Sequence, residues 1–225
     1  MTEYKDYKTL KCEIQVRSIL QHAWAEIEHD LGYKGKTAIP DQYKRNFNRL
    51  AALLETADLE FDRLKRELIH YEGEVGILIK KSPQDVTINQ ASLSNFNLEN
   101  SILQEARKLM ASITGWTYEE YLNDLHGILE RFVFFEIKTI KDLEDSLKQN
   151  KEVFFKYLEE FVKDIKYPKI TIVIALYYYQ HFLAGKTQDI EKVTEYLNYT
   201  DGFSINGDPQ NYIDNYLKAE KHIFS

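Results

Sequence analysis

CEIQVRSILQHAWAEIEHDLGYK, residues 12–34, changes its periodicity partway along. Cys12, Ile14 and Val16 are apolar and alternate with Lys11, Glu13, Gln15 and Arg17. A period of two with β-branched residues predicts a strand over residues 11–17, one face packed and the other polar. From Ser18 the period becomes helical. Leu20, Ala23, Trp24, Ile27 and Leu31 share one face, and Ser18 with Gln21 three residues on forms a capping box. Gly32 stands where such a helix would stop. The polar strand face would space a carboxylate, an amide and a guanidinium about 6–7 Å apart. Phosphoryl or nucleotidyl transfer uses such a set: a carboxylate for Mg²⁺ or a proton, and Arg for phosphate. A solvated strand face carrying a surface ion pair is the plainer reading of the same residues.

Working outward, a second helix is expected from Pro40. Tyr43, Phe47, Leu50, Leu54, Ala57, Phe61, Leu64 and Leu68 recur at spacings that alternate between four and three. This heptad seam, residues 43–68, predicts a long straight helix packed along its length, against its own domain or against a second copy of the chain. Residues 82–95, SPQDVTINQASLSN, are polar and rich in turn formers, and read as a linker. Beyond them the pattern is one of short amphipathic helices. Leu98, Ile102, Ala106 and Leu109 mark one, stopped near Gly115, and Thr117 with Glu120 would open the next. Thr139 can cap a third, carrying Ile140, Leu143 and Leu147, and Thr187 and Asp208-Pro209 are further helix-start signals. Residues 170–181 read both ways: Ile170, Ile172 and Ile174 alternate like a strand, while Ile174, Tyr177, Tyr178 and His181 step like a helix. Helix is preferred there, with Gly185 as its C-cap.

Composition narrows the classes. The chain has 225 residues, 44% of them hydrophobic, which excludes disorder as the default state. Nine Gly and four Pro are too few for a loop-rich β-sandwich. A single cysteine, Cys12, excludes a disulfide framework and any multi-cysteine metal site. A net charge of −7 gives no global field for nucleic acid, although a local basic groove is compatible with it. The start carries no signal-peptide pattern, and the most apolar stretch, residues 170–179, is about half of the 20 residues a membrane span needs. A cytoplasmic location is expected. His126, His181 and His222 stand isolated and read as packed or surface histidines. His22, Glu26 and His29 share one side of the first helix but lack the His-Glu-x-x-His order of a zinc site.

Residues 12–34 resemble the strand-to-helix signature of the RelA/SpoT family of alarmone synthetases (GTP pyrophosphokinases). There a Glu-Ile-Gln-(Ile/Val)-Arg-(Thr/Ser) strand leads into a helix with Trp-Ala and Glu-His, ending in Tyr-Lys. Here those are Glu13 to Ser18, Trp24-Ala25, Glu28-His29 and Tyr33-Lys34. The likeness is dense over residues 12–34 and looser to residue 75. It implies a nucleotidyltransferase-like fold and transfer of pyrophosphate from ATP to the 3′-hydroxyl of GTP or GDP. By that resemblance Glu13 is the catalytic carboxylate and a Mg²⁺ ligand, while Gln15, Arg17 and Lys34 bind nucleotide. Family members also carry an Arg-rich ATP-binding helix, a second Mg²⁺-binding Asp and a Tyr that stacks on guanine. None of these has a counterpart in this sequence, and Asp214 lies in an unrelated helical context.

The expected fold is therefore mainly α (α+β). Residues 1–81 read as the C-terminal remnant of an N-terminally truncated synthetase domain, a strand plus two helices with the second long. The linker 82–95 and an all-helical domain over 96–225 follow. Three functions compete: a RelA/SpoT-type synthetase or a piece of one, a non-catalytic helical regulatory protein on the same scaffold, and a toxin-type relative that pyrophosphorylates tRNA. Neither membrane nor DNA is an expected partner.

Overall fold

The computed structural model describes residues 11–32, 40–119, 125–163, 169–198 and 208–224. They divide into two compact units between His70 and Tyr71. The chain is mostly helical, with nine α-helices and one two-stranded parallel sheet among the described residues. None of these helices is long and apolar enough to cross a membrane.

In the first unit, residues 11–18 form no strand, which corrects the expectation for 11–17. The physical reason is pairing. Alternation supplies a face but not a ladder, and among the described residues no second strand lies beside this segment to take its N–H and C=O groups. Ile14 and Val16, expected on a packed face, are exposed. The capping box does form: the Gln21 N–H donates to Ser18 Oγ at 3.0 Å and the Ser18 N–H to Gln21 Oε1 at 3.2 Å. It opens α1, Ile19–Gly32. The long helix also forms. α2 is one uninterrupted helix, Asp41–Lys81, with its first thirty residues in this unit. α1 meets α2 where Trp24 tilts onto Phe47, ring centroids 5.6 Å apart, and where Ser18 Oγ donates to Asp58 Oδ2 at 2.5 Å. Beyond that, Tyr43, Leu50, Phe61, Leu64 and Leu68 of the seam are exposed.

The second unit has a dense core. The end of α2 enters it through Val75, with Tyr71 and Ile79 packed alongside. Residues 82–95, expected as a linker, are structured: a 3-10 turn Pro83–Asp85, an antiparallel bridge Thr87–Thr139, and the start of α3, Gln90–Glu99. Their polarity serves hydrogen bonding. Asn89 and Ser92 make a reciprocal cap, and Ser92 and Leu93 are buried. α4, Ser101–Thr114, is capped by Asn100 and ends at Gly115, whose φ of 73° needs a residue without a side chain. Thr117 opens no helix. Thr117–Glu119 is β1, which pairs in parallel with β2, Lys169–Thr171.

α5 spans Leu125–Phe134, and α6, Ile140–Phe161, begins with the expected Thr139 capping box, closed by Asp142. The ambiguous stretch holds both patterns in turn: Ile170 lies in β2, and α7 runs over Ile174–Lys186. α7 is the central helix, with Leu176, Tyr179, Phe182 and Ala184 buried. Gly185 is not its C-cap. It lies inside the helix, where a Cβ would run into the Tyr212 carbonyl, so the glycine lets α7 and α9 approach closely. α8, Ile190–Asn198, is capped by Asp189 rather than Thr187, and α9, Pro209–Phe224, starts at the expected Asp208-Pro209.

Candidate functional site

Glu13, Gln15 and Arg17 lie in the exposed segment that leads into α1. Gln15 Nε2 donates to Glu13 Oε1 at 3.1 Å, so the amide and the carboxylate are together. Arg17 makes no hydrogen bond or ion pair with them or with any other described residue. Lys34 falls outside the described residues. All three described groups face water, so the Glu13 charge and the Arg17 charge are screened and free to meet a solute.

The arrangement can do part of what phosphoryl chemistry needs. Mg²⁺ in such sites takes one or two carboxylates and completes its shell with substrate phosphates and water. Glu13 fits as one such ligand. Among the described residues no three His, Cys, Asp or Glu side chains gather as a metal site would require. The same holds for His22, Glu26 and His29 on α1. His29 Nδ1 lies 3.8 Å from Asp30, an exposed pair.

A second concentration of polar groups lies in the core of the 71–225 unit, and sequence reasoning missed it. Arg131 on α5 is 6% exposed and sits over the Tyr177 ring, 5.4 Å from its centroid. Tyr177 in turn packs edge-on against His181, one helical turn along α7, with centroids 4.1 Å apart. His181 Nδ1 is 2.8 Å from the Tyr196 hydroxyl of α8, and the Tyr212 ring of α9 stands edge-on to the imidazole at 5.2 Å. Burial, helped by the nearby Arg131 charge, lowers the His181 pKa to about 3, so the imidazole is neutral. Burial likewise raises the pKa values of Tyr157 and Tyr196 well above the usual phenol value, and that of Tyr212 to about 12. These phenols are all protonated donors. The only sequence signal was the helical stepping of Tyr177, Tyr178 and His181, which marks a buried helix face and not a polar cluster.

No family model, no curated protein and no solved structure matches the chain.

Proposed function

We propose that this chain belongs to alarmone metabolism, as the C-terminal part of a RelA/SpoT-type synthetase site joined to a helical module. The reaction would be transfer of pyrophosphate from ATP to the 3′-hydroxyl of GTP or GDP. The observation that carries the reading is the Glu13-x-Gln15-x-Arg17 segment, held at the mouth of a Ser18-capped helix with its carboxylate and guanidinium open to solvent. In this reading Glu13 contributes one carboxylate to Mg²⁺ or takes the proton of the attacking hydroxyl. Gln15 and Arg17 line the acceptor-nucleotide side, with Arg17 neutralising a phosphate bidentately, and Lys34 reaches phosphate.

Transfer also needs an adenosine clamp and a second carboxylate, for which the sequence offers no candidate. The expected result is therefore no pppGpp from the purified chain with ATP, GTP and Mg²⁺. Product should appear when the N-terminal half of a RelA/SpoT synthetase domain is supplied in trans, and Glu13→Ala should abolish it. Failure of complementation at high concentrations of both parts would remove the synthetase reading.

The exposed seam favours a second reading, a helical assembly protein. Eight apolar positions over residues 43–68 follow a heptad, most of them exposed, and heptads of this length are the signature of helix-to-helix association. The occupant proposed is a second copy of the same helix. Sedimentation equilibrium of the whole chain should show a dimer or higher oligomer. A monomer at 100 µM would end this reading and leave the first untouched.

A further inference from the structure

A cavity of about 230 Å³ lies within the 71–225 unit, where α2 and α3 end and α4 and α6 begin. Part of its lining is apolar: Ile79 of α2, Pro83 of the 3-10 turn, Phe96 of α3 and Ile140 of α6. Phe96 and Ile140 are buried, so this wall is fixed by the core. An apolar cavity of about 150 Å³ takes a benzene molecule. This one has room for an aliphatic or aromatic side chain with a few polar atoms beside it.

The rest of the lining is polar and incompletely paired: Lys80, Asn95, Glu99, Asn100 and Glu144. Lys80 Nζ stands 3.8 Å from Glu99 Oε2, opposite charges too far apart to hydrogen-bond. Glu144 pairs with Lys148 at 2.7 Å through one oxygen and has the other to offer. Asn100 Oδ1 accepts the N–H groups of Ile102 and Leu103, while its Nδ2 hydrogens have no acceptor among the described residues. The Asn95 amide has no hydrogen-bond partner among the described residues.

α2 makes room for that amide. Gly76 lies inside the helix, one turn before Ile79 and Lys80 and on their face. A Cβ there would come within 2.9 Å of Asn95 Nδ2 and 3.2 Å of its Oδ1. Glycine in a helix interior is less favourable than alanine. A junction that only had to pack would take alanine with a smaller neighbour. Here the glycine instead admits a polar group that pairs with nothing in the chain and lines the cavity.

We propose that this cavity binds a free α-amino acid with an apolar side chain. The lining offers both signs of charge beside an apolar wall. A plain amine would leave Lys80 unmatched, and a plain carboxylate would leave Glu99 and Glu144 unmatched. An α-amino acid carries both charges on one carbon and brings the apolar body as well. Its ammonium meets Glu99 and Glu144, and its carboxylate meets Lys80 and the amide hydrogens of Asn95 and Asn100. Its side chain lies on Ile79, Pro83, Phe96 and Ile140. The site uses none of the residues around Glu13 and does not rest on the synthetase reading.

The test titrates the whole chain with L-leucine and with L-phenylalanine to about 10 mM, read by calorimetry and by saturation transfer to the ligand protons. Saturable binding is expected for at least one of them. The matching amine and acid each lack one charge: 3-methylbutylamine and 4-methylpentanoate for leucine, phenethylamine and 3-phenylpropanoate for phenylalanine. They should bind at least tenfold more weakly than the parent amino acid. Lys80→Met and Glu99→Gln change exposed side chains that the core does not use. Each should weaken binding at least fivefold with Tm unchanged. Asn95→Leu keeps a similar shape against Gly76 without the amide and should weaken it likewise. Failure of both amino acids to bind at about 10 mM would overturn the proposal. So would an amine or acid that binds as tightly as its parent, or binding undiminished in both Lys80→Met and Glu99→Gln.

Discussion

α2 carries apolar residues of two fates on one uninterrupted helix. Before Tyr71, Leu50, Phe61, Leu64 and Leu68 face water. After it, Tyr71, Val75 and Ile79 enter a core built by later helices. The two stretches are equally helical and differ in what the rest of the chain places against them. A heptad seam specifies that a helix has a face to cover. It does not say whether the cover is in the same chain. The same contrast holds between the units. Among the described residues of the first, one ring contact and one side-chain hydrogen bond join α1 to α2, and α2 there carries surface pairs such as Arg63 with Glu60 and Glu67. The second unit has interlocked aromatic rings around α7.

The largest expected effect lies in that ring network. Phe182 is fully buried and its ring meets Phe154, Tyr157, Tyr179 and Tyr216 at centroid distances of 5.5–5.7 Å. Phe182→Ala leaves a cavity that these rings cannot close without giving up one another's edges, at a cost of roughly 3–5 kcal/mol. Urea unfolding should show that loss in the transition of the second unit. A cost below 1 kcal/mol would mean that the contrast between a packed and an unpacked unit is false.

The next effect is read in pH. The unfolded chain protonates His181 near its ordinary pKa of 6.5, whereas burial and Arg131 lower it to about 3 in the fold. Between those values the unfolded state binds a proton that the folded state refuses, so stability falls as pH drops. The slope is about 1.4 kcal/mol per unit, or roughly 2 kcal/mol lost by pH 5. His181→Asn should flatten the profile between pH 6.5 and 4.5. An unchanged slope would place the titration elsewhere.

Local signals were legible at several helix ends, although not at Gly185 or Thr187. Ser18 with Gln21, Thr139, Gly115 and Asp208-Pro209 all sit where the chain alone places them, and the heptad gives α2 its length. Long-range partners were not legible. The alternation at 11–17 had no neighbouring strand to pair with, while Thr117–Glu119 found β2 some fifty residues on and became a strand despite its capping pattern. Polarity misled: Ser92 lay in the expected linker 82–95 and is buried, because its hydrogen bonds are met. Of the candidate site, the sequence named Glu13, Gln15 and Arg17, and the structure brings Glu13 and Gln15 together. The Arg131 and His181 cluster was not legible, since nothing local distinguishes a buried arginine from a surface one.

A smaller effect tests that local legibility. The Thr139 hydroxyl accepts from the Asp142 N–H at 3.1 Å, and Asp142 returns a bond to the Thr139 N–H at 2.8 Å. Thr139→Ala should cost about 1 kcal/mol in urea unfolding, the usual worth of a cap. A cost near zero would show that the Thr87–Thr139 bridge, not the cap, fixes the start of α6.

The smallest change in monomer stability is expected on the exposed seam, and it separates the two fates of α2 most sharply. Leu64 is about half exposed in the single chain. Replacing it with aspartate removes little that the chain itself buries, so at sub-micromolar concentration the urea midpoint should shift by no more than about 0.5 kcal/mol. Association behaves differently. A carboxylate at a core heptad position of a paired helix must be desolvated against apolar neighbours, which costs far more than the leucine contributed. The wild-type midpoint should therefore rise with protein concentration, by mass action on a dimer. Leu64→Asp should abolish that dependence and sediment as a monomer. A wild-type midpoint independent of concentration from 0.5 to 100 µM would remove the second copy as the cover of this face. A large loss in dilute Leu64→Asp would show instead that the first unit buries its own seam.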